Sequence, residues 1–334
     1  MINKSRAVFL FTGQGYQYHD LSANLYRSNA TFRDTLQKMD VEASGITGYS
    51  VINSLYRMNG AARKPADDIC YSHAVTYMLE YALAMALQEE MDVHPSYVLG
   101  VGLGEAVAAT VCGAVDPSEM LSVVLKQAIV LQECCDEGGM IAITQDPLQE
   151  DARQHLFRIF DKSSLVTVYH CGHYILAAPA NTLSKIKAYL GRNNISYHQL
   201  PVKYALHSPL IDAARSKFIQ CSRKLHFCPP SIPFISGVYA TQLYNLSPYY
   251  LWQSMRDQIR FSDAIRHLEA TGKYCYIDCS PWGTLQPICN EIIHRESASY
   301  ALDVITPSNQ EQNNLELIRK RLDCTMPVLY RNSL

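Results

Sequence analysis

The sequence predicts an α/β protein in which a large α/β body carries a smaller inserted α+β unit. Two apolar strands that each run into a glycine-rich turn indicate the body, and the element order over residues 138–202 indicates the insertion. The chain has 334 residues, of which 48% are hydrophobic and 18% are charged. A chain of this length and composition can bury a large core, which excludes a disordered protein.

The body begins with a predicted strand at residues 8–11, followed by the turn at 12–15. A helix is predicted over residues 71–90, where Glu80 breaks the apolar run, so this segment is expected to be a buried helix and not a membrane span. A second strand is predicted at residues 97–101. It leads into a second glycine-rich turn and then a helix at 106–112 that Gly113 ends.

The next helix is predicted from Pro117 to about residue 133, with Asp116 as its N-cap. The inserted unit follows, with the order β-α-β-β-α-β that is typical of the ferredoxin-like motif. Its predicted elements are a strand at 139–144, a helix at 147–160, strands at 165–169 and 174–178, a helix at 182–191 and a strand at 196–202.

The α/β pattern then resumes, with a helix at 211–224, a strand at 232–238, a helix at 261–270 and a strand at 274–278. The expected division is therefore a body of residues 1–137 and 203–334 and a small subdomain of residues 138–202. A ligand is expected in the cleft between the two.

Charge and cysteine content exclude several classes of protein. The formal net charge is −2 and the isoelectric point about 6.6, which gives no electrostatic basis for binding nucleic acid or an anionic membrane. The chain has no apolar span of 18 residues and no signal-peptide core at its start. Eleven cysteines without a C-x-x-C pair indicate a reducing, cytoplasmic setting.

Three further groups of residues have a functional and a structural interpretation. His170, Cys171 and His173 could bind a metal, but they lack a fourth ligand, so no metal site is predicted. Packing is also favoured over a nucleophilic role for cysteines 112, 134 and 135, and solvent exposure over a carrier-protein contact for Lys217, Arg223 and Lys224.

The second glycine-rich turn has the spacing of a nucleophile elbow, G-x-S-x-G. In such a turn a sharp bend lifts one side chain into the cleft, and the next backbone N–H stabilises an oxyanion at a helix N-terminus. Gly100 and Gly104 are the outer glycines of the pattern, and Gly102 occupies the position of the nucleophile.

Four stretches, spread over the chain, together resemble one family. They are residues 11–15 (Phe-Thr-Gly-Gln-Gly), the elbow at 100–105, the segment 200–210 that contains His207-Ser208-Pro209, and residues 276–281. On these the sequence resembles the malonyl-CoA:acyl-carrier-protein transacylases, the acyltransferases of fatty-acid and polyketide synthases. It is most similar to discrete homologues that serve polyketide synthases lacking built-in acyltransferase domains. The resemblance implies an α/β-hydrolase-like body with a ferredoxin-like subdomain.

The resemblance also implies roles for individual residues. His207 matches the histidine base, and a backbone carbonyl at Arg260 would hold its ring. The backbone N–H groups of Gln14 and Leu103 would be the oxyanion donors. Neither a metal nor a cofactor is implied.

Three departures from the family pattern fall in the site. Gly102 replaces the serine nucleophile, Val101 replaces a histidine, and Gln127 replaces the arginine that pairs with a malonyl carboxylate. Glycine forms no acyl-enzyme, and a neutral amide lacks the charge that grips a carboxylate.

These departures lead to two functional hypotheses. In the first, the protein is a catalytically inactive acyltransferase homologue of a polyketide pathway that binds an acyl carrier protein or a synthase module, with acyl-CoA or acyl-phosphopantetheine as ligand. In the second, it is a hydrolase or transferase for acyl thioesters without a carboxylate, and it uses a water activated by His207. Nucleic acid and membrane are not expected partners.

Overall fold

The computed structural model describes residues 6–15, 20–145, 163–170, 173–305 and 311–323. The strands of the described chain are β1 (Arg6–Phe11), β2 (Pro95–Gly100), β3 (Gly138–Gln145), β4 (Ser164–His170), β5 (His173–Pro179), β6 (Ser196–Gln199), β7 (Phe234–Ile235), β8 (Gln242–Leu243), β9 (Tyr274–Asp278) and β10 (Tyr300–Asp303).

The helices of the described chain are α1 (Ala23–Ser28), α2 (Ala30–Thr47), α3 (Val51–Tyr56), α4 (Ile69–Glu89), α5 (Gly104–Val111), α6 (Pro117–Cys134), α7 (Ala180–Arg192), α8 (Arg215–Ser222), α9 (Pro248–Arg256), α10 (Phe261–Glu269), α11 (Leu285–Ile292) and α12 (Glu311–Asp323). Two 3₁₀ helices, Met58–Gly60 and Pro209–Ala214, complete the regular structure. The predicted helix at 147–160 lies outside the described residues.

The larger sheet has six strands in the order β10-β9-β1-β2-β7-β8. All neighbours are parallel except β7 and β8. Phe11 at the end of β1 is level with Gly100 at the end of β2, and Leu10 is level with Asp278 at the end of β9. The carboxyl ends of these three strands therefore meet at one edge, where ligands bind in open α/β sheets.

The smaller sheet has four antiparallel strands in the order β4-β5-β3-β6. This is the strand order of the ferredoxin-like motif, so the predicted fold class is confirmed. Alternate residues of β3 and β5, among them Ile141 and Leu176, pack with Ile186 and Leu190 of α7 in a core separate from that of the body. The opposite face of the smaller sheet lines a cavity next to the body.

Local sequence signals explain several helix boundaries. The Asp116 carboxylate accepts hydrogen bonds from the N–H groups of Ser118 (2.9 Å) and Glu119 (3.1 Å), and Pro117 takes the first turn of α6, as predicted. The single helix predicted at 211–224 is wrong in its details. Pro209 follows Ser208, whose hydroxyl caps the turn, and the chain first forms a 3₁₀ helix and then α8.

In the described part of the chain, no helix is long and apolar enough to cross a membrane.

Candidate active site

The turn between β2 and α5 has the geometry of a nucleophile elbow. Gly102 lies at its apex with φ of +58°, and Leu103 precedes the first residue of α5. Glu105 N–H donates to the Gly102 carbonyl at 3.0 Å, which closes the turn. A Cβ on Gly100 would overlap the Glu105 backbone, and one on Gly104 would overlap that of Phe11. The outer glycines are therefore required because the chain crosses itself too closely for any side chain.

The loop after β1 packs directly against this elbow. Val101 N–H donates to the Phe11 carbonyl at 2.9 Å, and an ideal Cβ on Gly13 would lie 3.3 Å from the Val101 carbonyl oxygen and 3.8 Å from the Leu103 nitrogen. The fully buried Glu80 of α4 holds this loop, because its Oε1 accepts the Thr12 N–H at 2.9 Å. Burial raises the pKa of Glu80 well above its usual value.

The residues of the two predicted oxyanion donors, Gln14 and Leu103, both lie at the cavity. Leu103 is the residue before α5, so its N–H is among the amides that have no partner within the helix. Gln14 is buried beside the elbow, and its side-chain oxygen accepts the Ser72 hydroxyl at 3.2 Å. Both residues line the same cavity as Gly102.

His207 reaches the elbow from the segment that follows the smaller sheet. An ideal Cβ built on Gly102 would lie 3.1 Å from His207 Nε2. Nδ1 lies 2.9 Å from the carbonyl oxygen of Asp257, and since a carbonyl only accepts, Nδ1 carries the hydrogen. Nε2 therefore presents a lone pair toward the position of the missing side chain.

The carbonyl that holds His207 differs from the predicted one. Arg260 was expected in this role, but its carbonyl accepts the Ala264 N–H at 3.0 Å, the first hydrogen bond of α10. Asp257 lies three residues earlier, at the end of α9, where its carbonyl is free to turn toward the ring. The prediction of Arg260 was wrong because the sequence does not show where the segment between α9 and α10 bends.

Burial controls the charge of His207. The side chain is nearly enclosed, and desolvation lowers its pKa to about 4, although the Asp257 carbonyl acts in the opposite direction. At neutral pH the ring is therefore neutral and able to accept a proton at Nε2.

A network behind the elbow involves Glu105, the second residue of α5. Its Oε1 accepts the Gly237 N–H at 2.8 Å, and its Oε2 contacts the Tyr250 hydroxyl at 2.6 Å. Burial raises the pKa of Glu105 to about 8. The Gly237 carbonyl in turn accepts the Arg260 N–H at 2.6 Å, so the elbow helix is connected to the segment that carries Asp257.

The elbow, the loop after β1 and His207 face a cavity of about 400 Å³ between the two sheets. The described part of the chain contributes 23 lining residues, and none of them is Lys, Arg, Asp or Glu. The body contributes the elbow, the loop after β1, His207 and the turn that contains Trp282, and the smaller sheet contributes one face of β3, β4 and β5. The site is therefore a mostly apolar, partly open chamber beside the elbow turn and a neutral imidazole.

The family follows from a comparison of the whole chain. The sequence profile described as "Acyl transferase domain" matches residues 8–325. The chain belongs to the acyl transferase domain family. The predicted resemblance is thereby confirmed.

Individual relatives agree with this assignment. The chain is 36% identical over 312 residues to the polyketide biosynthesis acyltransferase homolog PksD of Bacillus subtilis, and 33% identical over 313 residues to BaeD of Bacillus velezensis. Each match covers 93% of this chain and 95% of the relative. The acyltransferase domain from the second module of the salinomycin polyketide synthase has the same fold, with a TM-score of 0.82, 21% identity and coverage of 98% of this chain and 75% of that chain.

Most of the predicted site residues line this cavity, but Gln127 does not. Val101, Gly102, Leu103, Gln14 and His207 all line the cavity. The side chain of Gln127 is buried outside it, where Nε2 donates to Ser222 Oγ at 2.9 Å. The expectation that Gln127 binds substrate is therefore not met, because this amide is already used to join α6 to α8.

The sequence also offered His170, Cys171 and His173 as candidate metal ligands. Among the described residues, no group of three His, Cys, Asp or Glu side chains could hold a metal ion. Cys171 and the side chain of His170 lie outside the described residues, whereas His173 opens β5 and lines the cavity. The alternation of β5 could have shown this, since His173 and Ile175 share one face of the strand.

Proposed function

We propose that this protein is an acyltransferase homologue of polyketide biosynthesis that binds acyl groups presented by an acyl carrier protein or a synthase module, without forming an acyl-enzyme. Relatives that it matches over nearly their whole length are named polyketide biosynthesis acyltransferase homologues, which supports the pathway. The observation that carries the proposal is Gly102 at the apex of an elbow whose cavity and base are otherwise complete.

Among the described residues that line the cavity, no serine or cysteine takes the place of the nucleophile. A glycine has no atom that could bond to the acyl carbon. The described lining of the cavity contains no cysteine, and burial raises the pKa of the Cys112 thiol to about 11, so this thiol stays protonated. Covalent transfer through an enzyme-bound acyl group is therefore not expected.

The chamber favours uncharged acyl groups. Its described lining is apolar apart from a few hydroxyl, amide and imidazole groups, and the described part offers no Lys or Arg to a carboxylate. A malonyl carboxylate would lose its hydration there without gaining an ion pair. We therefore expect the ligand to be an acyl thioester whose chain carries no free carboxylate.

One observation favours a second candidate function, a thioester hydrolase. The lone pair of His207 Nε2 faces the space in front of Gly102, where a water could lie between the imidazole and the N–H groups of Gln14 and Leu103. In that reaction Nε2 would take a proton as the water oxygen bonds to the thioester carbonyl carbon. The C–S bond would then break, and the proton would pass to the departing sulfur to give a free acid and a carrier thiol.

Mass spectrometry and assay of released acid distinguish the two functions. The wild-type protein, His207→Ala and the double variant Gly102→Ser with Val101→His are each incubated with a butyryl-loaded carrier protein. The binding function predicts no acyl adduct and no acid above the protein-free rate for the wild type and for His207→Ala. Acid release by the wild type that is lost in His207→Ala would establish the hydrolase and overturn the binding function.

A further inference from the structure

Helix α4 directs two buried polar side chains toward the loop after β1. Ser72 and Glu80 are about two helical turns apart, and both are buried. Glu80 Oε1 accepts the Thr12 N–H at 2.9 Å. The Ser72 hydroxyl lies 3.2 Å from Gln14 Oε1 and 3.2 Å from the Ile69 carbonyl oxygen, so its hydrogen is shared between them. Side chains of α4 therefore contact this loop at two points.

The loop depends on contacts from outside because its own sequence leaves it adaptable. Gly13 and Gly15 flank Gln14, and Gly15 has φ of +126°. Glycine populates many backbone conformations, so this sequence alone does not fix the direction of the Gln14 N–H. On the elbow side the hydrogen bond is between backbones, from the Val101 N–H to the Phe11 carbonyl at 2.9 Å. Helix α4 adds the side-chain hydrogen bonds.

The Glu80 carboxyl is buried at a cost that its contact with the loop explains. Burial raises its pKa well above the usual value, as does the nearby Asp278 carboxyl, although the Thr12 N–H acts in the opposite direction. We therefore expect a neutral acid at neutral pH. Oε2 has no hydrogen-bond partner among the described residues. An apolar side chain would be buried at lower cost, so what the carboxyl supplies here is an acceptor for Thr12.

This contact lies two residues from a predicted oxyanion donor. Gln14 lines the cavity, and its N–H is expected to meet the carbonyl oxygen of the ligand. A donor that is held in its direction before the ligand arrives binds more tightly than one that must first be ordered.

We propose that Glu80 is a positioning residue for carbonyl recognition. By holding the Thr12 N–H, it orients the loop so that the Gln14 N–H meets the carbonyl oxygen of a bound acyl thioester. This inference rests on the proposed acyl-binding function and adds the side chain on which recognition of the carbonyl depends.

The test compares two ligands that differ only at the carbonyl. Both are pantetheine analogues of the butyryl thioester with CH₂ in place of sulfur, so neither can be hydrolysed. One keeps the carbonyl as a ketone, and the other, the alkane, has CH₂ in its place. Calorimetry measures both dissociation constants for the wild type and for each variant, and the ratio of the two constants reports recognition of the carbonyl.

Glu80→Met removes the acceptor at similar side-chain volume. We expect the affinity for the ketone to fall about three- to tenfold, the effect of about one hydrogen bond, and that for the alkane to change by less than about twofold. Glu80→Gln keeps an oxygen for the Thr12 N–H and should retain the wild-type ratio. Leu87→Ala is the control, because it removes a buried apolar side chain about two turns further along α4, and it should also retain the ratio.

The outcomes separate this inference from the function beneath it. A ratio that is unchanged in Glu80→Met, or lost equally in Glu80→Gln, would overturn the role of Glu80 and leave acyl binding intact. Failure of the wild type to bind either analogue would overturn the acyl-binding function itself. If Glu80→Met does not fold, Glu80→Asp replaces it, because it keeps the acid but withdraws the oxygen from Thr12 by one methylene, and the same loss of ratio is expected.

Discussion

At the scale of single residues, the glycines of the elbow are required for two different reasons. Gly102 needs its positive φ, whereas Gly104 needs the absence of a side chain because a Cβ would overlap Phe11. The left-handed conformation costs an L-residue about 1–2 kcal/mol. The apex thus tolerates a side chain that the flanking glycine does not.

Alanine substitutions measure this difference. We expect Gly102→Ala to lower the free energy of unfolding by about 1–2 kcal/mol through backbone strain, with a further small cost because the His207 ring must shift away from a Cβ 3.1 Å from Nε2. Gly104→Ala should cost considerably more, because two backbone segments must separate. In the control variant Gly45→Ala, in the last turn of α2 with no atom within 4 Å of the new Cβ, stability should not fall and should rise by less than about 1 kcal/mol. Chemical denaturation gives all three values, and an equal loss at 102 and 104 would contradict the account.

The charge of His207 is a second property of a single residue. Its folded pKa of about 4 lies below the usual histidine value of about 6.5, so the folded protein binds fewer protons than the unfolded chain. Stability from the neutral ring is present above pH 6.5 and is lost as the pH falls toward 4. Titration of the ring proton signals by NMR should give a midpoint near pH 4, and a midpoint at or above 6.5 would show that the ring is hydrated.

At the scale of elements, the 255–262 segment connects the base His207 to the smaller sheet. Met255 and Asp257 accept hydrogen bonds from His207, and Ile259 N–H donates to the Val166 carbonyl at 2.8 Å. The buried Ser262 hydroxyl donates to the Tyr169 carbonyl at 2.7 Å. The position of the His207 imidazole therefore depends on strand β4 of the smaller sheet.

Removal of the Ser262 hydroxyl tests this connection. Ser262→Ala leaves a buried carbonyl without this donor and should cost about 1–2 kcal/mol of unfolding free energy. Ser184→Ala is the matched control, because its exposed hydroxyl contacts only the carbonyl one turn earlier in α7, and should change stability by less than about 0.5 kcal/mol. Equal effects in the two variants would mean that the segment is not held by this contact.

The carboxyl of Glu105 makes a further prediction for helix α5. Its folded pKa of about 8 exceeds the unfolded value of about 4.5, so the folded state keeps a proton that the unfolded chain releases. The stability associated with that proton is present below pH 4.5 and is lost as the pH rises through 8. Glu105→Gln mimics the protonated carboxyl and should flatten the dependence of unfolding free energy on pH between 5 and 9. An unchanged slope would indicate that Glu105 is ionised when folded.

The strands and helices around the site could be predicted where the sequence carries side-chain signals. Apolar runs and glycines marked β1, β2 and the elbow, and Asp116-Pro117 marked the start of α6. The acceptor at Asp257 left no such signal, because any residue carries a carbonyl and only the bend of the segment selects one. Gln127 matched the spacing of a substrate-binding arginine, but its contact with Ser222 depends on the packing of α6 on α8.

At the scale of the whole molecule, the cavity lies between two separately packed layers. The body and the smaller sheet have different cores, and the chamber is bounded by both. A ligand that bridges the two sheets binds only the folded state, so it should stabilise the fold.

Ligand-dependent stability measures this bridging. At a concentration one hundred times its dissociation constant, the pantetheine amide of butyric acid, which resists hydrolysis, should raise the free energy of unfolding by about 2.7 kcal/mol. Ala142 lies in β3 of the smaller sheet, is nearly buried and lines the chamber. Ala142→Phe fills the chamber and should abolish the stabilisation by the ligand. Stabilisation that persists in Ala142→Phe would place the ligand outside the chamber.

The central claim is that the chain holds a carrier-bound acyl thioester without reacting with it. Mass spectrometry of one mixture with butyryl-loaded carrier protein, recorded first under native and then under denaturing conditions, tests this directly. The account predicts a non-covalent complex that separates on denaturation into two chains of unchanged mass. A heavier protein chain, or a carrier that has lost its acyl group, would contradict it.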